Sequence, residues 1–187
     1  MKILSRSALL TLSLLLLSAC AAGNAAPRAI LGSASAPVSL IEYSDFQCPA
    51  CAAISPEIEE YARANTDRVR LEFRHFPLPQ HGNAFRAAVA SECANLQGKF
   101  WEYATLNYQN QNNLSEDKLK EMAQTLSLDT ASFDACLDSN QTAGRVRDDL
   151  SSGQVLGIRF TPSIYVNGKL IQYTTKEAFE GYIDSLK

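Results

Sequence analysis

The sequence lacks any marked excess of charge. Its 187 residues carry 17 Lys and Arg against 20 Asp and Glu, a formal net charge of −3. No basic stripe and no run of like charges is present, which argues against nucleic acid as a partner and against a charged, disordered tail. No internal repeat is visible either. With 46% hydrophobic and 20% charged residues, the sequence is typical of one globular domain with a substantial core.

Long hydrophobic runs are also missing. The most apolar stretch, residues 9–17, is too short to span a bilayer but has the length of the apolar region of a signal peptide. It ends in Leu17-Ser18-Ala19-Cys20, which resembles the bacterial lipobox, whose cysteine is lipidated and becomes the first residue of the mature protein. The alternative is an ordinary signal peptide that is cleaved a few residues later, with Cys20 discarded.

This N-terminus predicts an exported, membrane-anchored lipoprotein that faces the periplasm or the cell exterior. Residues 1–19 would be the lipoprotein signal peptide, and residues 20–31 a flexible tether rich in Ala, Gly, Asn and Pro. Residues 32–187 would form the folded domain. Because a single lipid chain binds a membrane only weakly, stable anchoring would need several acyl chains at Cys20.

Cysteine, histidine and methionine are scarce. The sequence contains five Cys, two His and two Met, which argues against a copper carrier. Disulfides persist outside the cytoplasm, and lipidation of Cys20 would leave an even number of cysteines. An even number of cysteines in an oxidising compartment suggests two disulfides, with three possible connectivities. The four cysteines are Cys48, Cys51, Cys93 and Cys136.

The hydrophobic pattern predicts an α/β domain. Helical periodicity dominates residues 82–150, whereas β-prone runs lie on both sides of that block. Such an order indicates a mixed sheet with a helical insertion. Strands are predicted at residues 38–46, 69–76, 163–166 and 169–173. Helices are predicted at residues 49–64, 84–96, 100–109, 115–126, 131–139, 142–156 and 176–186.

The motif Cys48-Pro49-Ala50-Cys51 stands where the first long strand gives way to a helix. The free N–H groups and the dipole of a helix N-terminus favour a thiolate, so Cys48 is predicted to be an exposed nucleophile and Cys51 a buried resolving thiol. A static disulfide is one alternative. Half of a zinc site is another, although no second such motif and no suitably spaced pair of histidines is present.

Two further residues fit this chemistry. Glu42 lies six residues before Cys48 in an otherwise apolar strand, where a buried carboxylate would have a raised pKa and could accept the proton of Cys51. The alternative is that Glu42 points to solvent. Thr161-Pro162 precedes a later strand. The bond between these residues could be cis, but only ~5–6% of X-Pro bonds are, so a trans proline at the start of the strand is the alternative.

Together these segments resemble the DsbA-like branch of the thioredoxin superfamily over about residues 32–186. The resemblance implies a thioredoxin fold with an inserted helical domain. The segments that carry it are Ala36-Pro37-Val38, Glu42-Tyr43-Ser44-Asp45-Phe46-Gln47-Cys48-Pro49-Ala50-Cys51, Phe73-Arg74-His75-Phe76-Pro77-Leu78, Gln97-Gly98-Lys99-Phe100-Trp101-Glu102 and Gly157-Ile158-Arg159-Phe160-Thr161-Pro162-Ser163-Ile164-Tyr165-Val166-Asn167-Gly168.

The resemblance also implies the roles of the catalytic residues. Cys48 would be the nucleophile, Cys51 the resolving cysteine, Glu42 the buried acid and Pro162 a cis-proline that faces the cysteines. Thr161 would offer its backbone to an extended client segment, a mode of recognition that tolerates different client sequences.

The residues between the active-site cysteines, Pro49 and Ala50, would contact the client as well. Ala50 departs from the strongest oxidants of the family, which carry His at this place. Cys48 is therefore expected to be less acidic and the pair less oxidising than in those enzymes.

A second disulfide, Cys93–Cys136, is implied inside the helical insertion, since some members of the family carry one there. Two buried free thiols are the alternative. A loop of over forty residues would be closed, which the chain-entropy model values at roughly 4 kcal/mol.

The function expected from these features is thiol–disulfide exchange on exported proteins, most simply disulfide formation through Cys48 and Cys51. The alternatives are a reductase or isomerase that uses the same pair, and a non-enzymatic lipoprotein that binds metal ions or clients. The expected partners are exported proteins with free thiols or disulfides, a membrane or soluble redox partner, and the membrane itself through the lipid anchor. We expect a monomer, with no cofactor, no metal ion and no nucleic acid.

Overall fold

A computed structural model describes residues 27–186. The predicted signal peptide of residues 1–19 and the predicted lipidation site, Cys20, lie outside the described residues. The strands are β1 (Ile30–Leu31), β2 (Val38–Ser44), β3 (Val69–His75), β4 (Ser163–Val166) and β5 (Lys169–Ile171). The helices are α1 (Pro49–Ala64), α2 (Ala84–Asn95), α3 (Phe100–Gln109), α4 (Glu116–Thr125), α5 (Thr130–Ser139), α6 (Ala143–Val155) and α7 (Lys176–Asp184).

The five strands form one mixed sheet in the order β1-β3-β2-β4-β5. Strand β2 runs parallel to β3 and antiparallel to β4, and Glu42 of β2 pairs with Phe73 on one side and Ile164 on the other. Helices α2 to α6 are inserted between β3 and β4. The prediction of a thioredoxin fold with a helical insertion is confirmed, and this register places Glu42 in the middle of the sheet.

The tether predicted for residues 20–31 is wrong at its C-terminal end. Ile30–Leu31 forms β1, which pairs antiparallel with β3. Ahead of β1, the Arg28 guanidinium lies 2.5 Å from a buried Asp149 carboxylate oxygen. Gly32 follows with φ +87°, and a Cβ there would lie 1.9 Å from the carbonyl oxygen of Val69. The folded domain therefore begins earlier than residue 32, because an ion pair and strand pairing hold this segment.

Two large clusters of buried side chains stabilise the fold. One lies mostly within the insertion, extends to the sheet, and includes Phe133, Leu137 and the disulfide-bonded pair Cys93 and Cys136. The other joins the sheet to the terminal helices through side chains such as Leu40 of β2 and Ile58 of α1. The active-site helix α1 is thus fixed along its length by the core, which leaves only its N-terminus for chemistry.

Candidate active site

Cys48 lies at the N-cap of α1. Its backbone is extended, with φ −78° and ψ 120°, and the helix begins at Pro49, whose missing N–H and fixed φ suit the first helical position. The Cys48 N–H donates to the carbonyl oxygen of Asp45 at 3.1 Å, and the Cys48 carbonyl accepts from the N–H of Ala52 at 3.1 Å. The tight turn between β2 and α1 therefore places Cys48 at the helix N-terminus.

Burial distinguishes the two cysteines less than predicted. Cys51 is fully buried, but Cys48, which was predicted to be exposed, retains only 7% of its accessible surface. The reason is that Thr161 covers the thiol: Cys48 Sγ lies 3.4 Å from the Thr161 carbonyl oxygen. The exposed part of the motif next to Cys48 is therefore formed by Pro49 and Ala50.

Hydrogen bonds to the sulfur lower the pKa of Cys48 to about 5. The largest contribution is the hydrogen bond from the Cys51 thiol, and burial opposes it. Thr161 and the backbone N–H groups of Cys51 and Ala50 lower the pKa further. At neutral pH Cys48 is therefore a thiolate, as its position at a helix N-terminus predicts.

Cys51 behaves in the opposite way. Burial raises its pKa strongly, the neighbouring Cys48 raises it further, and a hydrogen bond with Ser44 lowers it in part. Cys51 therefore stays a thiol while Cys48 is ionised. One sulfur can attack a disulfide, and the other needs a base before it can displace the first from a mixed disulfide.

Glu42 has the properties expected of such a base. Its side chain is buried, with 1% of its surface accessible, so the alternative in which it points to solvent is wrong. Burial raises the pKa of Glu42 to about 7, while hydrogen bonds from Ser55 and Ser44 lower it. A carboxyl group with a pKa near neutrality can both take up and release a proton under working conditions.

Thr161-Pro162 joins the cysteines from a distant part of the chain. The peptide bond between the two residues is cis, and the segment lies beside the motif, as the contact of Cys48 with Thr161 shows. The structure thus brings the predicted catalytic and client-contacting residues to one place. The predicted disulfide Cys93–Cys136 is present in the insertion, away from these residues in the sequence.

A largely apolar cavity adjoins the Thr161-Pro162 segment. Its volume is about 450 Å³, and Phe160 and Leu170 on its rim are 63% and 47% exposed. Exposed apolar side chains around a concave surface are typical of a binding site. The lining residues are Ile54, Phe160, Thr161, Pro162, Leu170, Ile171, Gln172 and Tyr173.

A buried carboxylate in front of the motif was missed by the sequence analysis. Asp45 accepts hydrogen bonds from the N–H groups of Gln47 and Leu78, both at 2.7 Å, and lies 2.8 Å from Nδ1 of His81. It ties the active-site turn to the segment that enters the insertion. Asp as a turn residue was a local signal for the first of these bonds, but nothing local indicated the contact with His81.

Two glutamines connect the same turn to the insertion. Gln47 accepts from the N–H of Asn83 at 2.6 Å, and its amide lies 3.5 Å from the carbonyl oxygen of Gln111. Gln111 in turn donates to the Cys48 carbonyl oxygen at 3.3 Å. The insertion therefore contacts the backbone of the nucleophile itself through Gln111, which is 63 positions away in the sequence.

Metal ligands are not grouped in the part of the chain that the structure describes. Residues 27–186 contain no cluster of three or more His, Cys, Asp or Glu side chains that could hold a metal ion. The arrangement of Cys48, Cys51 and Glu42 matches thiol–disulfide exchange instead.

Comparisons with known proteins agree with this geometry. A family model described as Thioredoxin matches residues 24–185. Oxidised BdbD from Bacillus subtilis superposes with a TM-score of 0.72, at 26% identity, covering 84% of this chain and 91% of that chain. The thiol-disulfide exchange protein alpha-DsbA2 from Wolbachia pipientis superposes with a TM-score of 0.77, covering 86% of this chain and 87% of that chain. At 16% identity, the second likeness concerns the fold alone.

A curated relative is much longer than this chain. The Na(+)/H(+) antiporter NhaA 1 of Mycolicibacterium gilvum is 36% identical over 143 residues, which are 75% of this chain and 23% of the antiporter. The chain spans about a quarter of the length of the curated relatives it matches. Within residues 27–186, no helix has both the length and the apolar character needed to cross a membrane.

Proposed function

The chain belongs to the thioredoxin family and is a thiol:disulfide oxidoreductase, and on that premise we propose that it forms disulfides in exported proteins. The observation that carries the proposal is the contrast between the two thiols of the pair. Cys48 is held as a thiolate, with a pKa of about 5, whereas burial raises the pKa of Cys51.

A stabilised Cys48 thiolate favours the reduced form of the pair, so the oxidised pair is a better oxidant. Cysteines in such motifs have pKa values from ≈ 7 in thioredoxin to ≈ 3.5 in DsbA. The value of about 5 for Cys48 lies between them. It supports an oxidant weaker than the strongest members of the family, in line with Ala50 where those enzymes carry His.

The reaction starts from a Cys48–Cys51 disulfide. A client thiolate attacks Cys48 Sγ, a mixed disulfide forms, and Cys51 leaves and takes up a proton. A second client thiolate then attacks the client sulfur of the mixed disulfide and releases Cys48 as a thiolate. The client gains a disulfide and the enzyme is left as a dithiol, which a membrane or soluble redox partner must oxidise again.

The cavity beside Pro162 supports a role in holding the client. An extended client segment can hydrogen-bond to the Thr161 backbone while one of its apolar side chains enters the cavity. Pro49 and Ala50 would contact the same segment on the other side of Cys48. Because main-chain contacts dominate such a mode, many different unfolded clients would be accepted.

The reduction potential of the Cys48–Cys51 pair tests the direction of electron flow. Equilibration of the full chain with a glutathione series should give a potential above ~−200 mV, between thioredoxin at ≈ −270 mV and DsbA at ≈ −120 mV. Ala50→His is the matched variant, and it should raise the potential because a cation near the thiolate stabilises the reduced form. A wild-type potential at or below that of thioredoxin would contradict the oxidase.

A disulfide reductase or isomerase is the second candidate. Ala50 is the observation that favours it, since the lost positive group makes the pair less oxidising. The same titration separates the two, because a reductase requires a potential near the thioredoxin value.

Trapping of the intermediate tests the exchange reaction separately from its direction. Cys51→Ala should accumulate a mixed disulfide between Cys48 and a client, since the resolving thiol is absent. Absence of any adduct, together with unchanged client oxidation in Cys48→Ser, would favour the non-enzymatic alternative of a client- or metal-binding lipoprotein.

The site of action is part of the proposal. The N-terminal pattern that ends at Cys20 supports export and a lipid anchor, with the domain acting as a monomer at the membrane surface. Labelling of cells with radioactive palmitate should mark the wild-type chain and leave Cys20→Ser unlabelled. A labelled Cys20→Ser variant, or an unlabelled wild type, would contradict the anchor.

A further inference from the structure

Three hydroxyl groups from three different elements meet next to the active site. The Tyr108 hydroxyl of α3 lies 2.8 Å from Ser44 Oγ of β2 and 3.0 Å from Ser55 Oγ of α1. The two serine oxygens are 3.1 Å apart. Each hydroxyl of this cluster, which we call the hydroxyl triad, therefore contacts both of the others.

The hydroxyl triad connects Glu42 with Cys51. At one end, the Ser55 hydroxyl donates to Oε1 of Glu42. At the other end, Ser44 hydrogen-bonds with Cys51 and lowers its pKa. Ser44 and Ser55 are both buried, so protein hydroxyls occupy the path between the resolving thiol and the carboxylate.

Counting donors gives the direction of this path. Each hydroxyl has one hydrogen to donate and two lone pairs with which to accept. The hydrogen of Ser55 goes to Glu42, and that of Tyr108 goes to Ser55. The hydrogen of Ser44 can go to Tyr108, to Ser55 or directly to Glu42, with which Ser44 also hydrogen-bonds, and its oxygen can accept from the Cys51 thiol. All three hydrogens point from Cys51 towards Glu42.

We propose that Ser44, Ser55 and Tyr108 relay the proton between Cys51 and Glu42 during thiol–disulfide exchange. When the enzyme oxidises a client, the Cys48–Cys51 bond breaks and Cys51 leaves with the electron pair. For this step the three hydroxyls turn in the opposite sense: the protonated Glu42 carboxyl donates its proton to Ser55, each hydroxyl passes one on, and Ser44 delivers a proton to Cys51. In the reverse reaction, Cys51 loses its proton along the same path and then attacks Cys48.

The environment suits hydroxyls that pass a proton without becoming ionised. Burial of the Tyr108 hydroxyl, together with the nearby carboxylate of Glu42, raises the pKa of Tyr108 well above its ordinary value. The phenol therefore stays neutral across the working range of pH. The relay rests on the proposed exchange reaction and adds Tyr108, a residue of the insertion, to the machinery of the thioredoxin-like half.

Single-turnover reduction of the oxidised full chain by dithiothreitol tests the relay. With Ser55→Ala, the protonation of Cys51 should slow by about tenfold to a hundredfold, since positioned proton transfer contributes on that order or more. Tyr108→Phe should slow the step less, because the direct contact between Ser44 and Ser55 at 3.1 Å remains. The readout is the transient thiolate absorbance in the ultraviolet, recorded across neutral pH.

Solvent isotope effects separate a relay from a merely structural role. Wild-type rates in mixtures of H₂O and D₂O should depend on the deuterium fraction along a curve, since several protons move in one step. Ser55→Ala should give a dependence closer to linear, because fewer protons then move together. Glu42→Gln combined with Ser55→Ala should be no slower than the slower single variant, because both remove the same path.

Tyr43→Phe is the matched control for Tyr108→Phe. It removes a tyrosine hydroxyl that bonds to Ser152 and Arg74 instead of the hydroxyl triad, and it should leave the rate and the isotope effect unchanged. Ser55→Thr restores a hydroxyl and should recover most of the rate.

A Ser55→Ala variant with the wild-type rate and isotope effect would overturn the relay. Failure of the exchange reaction itself looks different. In the Cys51→Ala background, Ser55→Ala should still form the Cys48 adduct at the normal rate. Absence of that adduct in Cys51→Ala alone would contradict the proposed function and not only the relay.

Discussion

Two regions of the molecule each hold a pair of cysteines and a buried glutamate, yet they treat these groups in opposite ways. At the N-terminus of α1, Cys48 and Cys51 are free thiols and Glu42 lies beneath them. In the insertion, Cys93 and Cys136 form a disulfide. A second glutamate, Glu92, is buried on α2, one residue before Cys93. Both glutamates are buried, so the side chains that contact each carboxyl group, and not burial, account for the difference between them.

The two glutamates show this directly. Glu42 has only hydroxyl partners, and burial raises its pKa to about 7. Burial also opposes ionisation of Glu92, but His75 at 3.1 Å and Arg145 at 3.4 Å hold the pKa of that carboxyl below its ordinary value. One carboxyl group can exchange a proton near neutral pH, and the other is a fixed charge between the sheet and the insertion.

The two cysteine pairs differ in the same sense. Cys48 and Cys51 are three residues apart, and hydrogen bonds to the Cys48 sulfur stabilise its thiolate. Cys93 and Cys136 are joined as a disulfide between α2 and α5, 43 residues apart in sequence, within a largely apolar cluster in which the Thr142 hydroxyl lies 3.7 Å from Cys93 Sγ. We therefore expect exchange at the first pair and a stabilising role for the second.

The largest expected effect separates the pairs by activity. Cys48→Ser should reduce the oxidation of a reduced client protein by at least about a thousandfold, since it removes the nucleophile. Cys93→Ala with Cys136→Ala should leave the rate per folded molecule within a factor of about three, because neither sulfur touches the reacting atoms. Client oxidation followed by gel-shift alkylation measures both. Equal losses of client-oxidation rate in the two variants would contradict the assignment of exchange to the first pair alone.

The second prediction concerns stability. The Cys93→Ala, Cys136→Ala double variant should lower the free energy of unfolding by about 4 kcal/mol, the value of the chain-entropy model for a loop of this length. Reduction of the Cys48–Cys51 disulfide should not lower it, since the loop is only one helical turn and the stabilised Cys48 thiolate favours the folded, reduced form. Urea titrations of the oxidised protein and its variants give the numbers. A loss below about 1 kcal/mol for the double variant would count against the structural role.

The third prediction concerns the pH dependence of stability. Burial raises the pKa of Glu42 from 4.5 to about 7, so the folded state binds this proton more tightly than the unfolded state. Stability should therefore fall by about 3 kcal/mol as the pH rises from ~4.5 to ~7. Glu42→Gln should abolish this fall, which unfolding titrations at several pH values would detect. A difference between wild type and variant that does not change with pH would contradict it.

Glu92 should show the opposite slope and a smaller effect. Because its pKa is lowered in the folded state, its ionised form stabilises the protein above pH ~4.5 and this contribution is lost as the pH falls. Glu92→Gln should cost about 2 kcal/mol at neutral pH, the loss of a charge-assisted hydrogen bond, and less in acid. The same titrations apply, and a cost that grew on acidification would reverse the assignment.

Most of the fold could be predicted from the sequence because its signals are local. Asn167-Gly168 marks the turn between β4 and β5, and the structure has the hairpin there. Ser115 was predicted near the start of α4, and its side chain caps that helix. Strand β1 could not be predicted in this way. Its two residues are too few to show a hydrophobic period. The segment just before it is held by the contact of Arg28 with Asp149, 121 positions away in the sequence.

The residues of the candidate site also differ in whether a local sequence pattern indicates them. Glu42 and Ser44 lie two residues apart and therefore on the same face of β2, and Ser55 lies one helical turn after Cys51. The spacing of both serines in the sequence therefore indicates that they lie near the active site. Tyr108 has no such local signal, because its contact with them depends on how the insertion packs against the sheet. Packing also explains why Cys48 is more covered than predicted, since its cover is Thr161, 113 positions later.

The sheet has short strands at both of its margins. Strand β1 has two residues and β5 has three, the first of them the exposed Lys169. Long, apolar outer strands invite other chains to add on through main-chain pairing, and brevity and lysine discourage it. Under the proposed function, the short outer strands would let the enzyme bind unfolded clients at the active site without promoting their addition to the edges of its sheet.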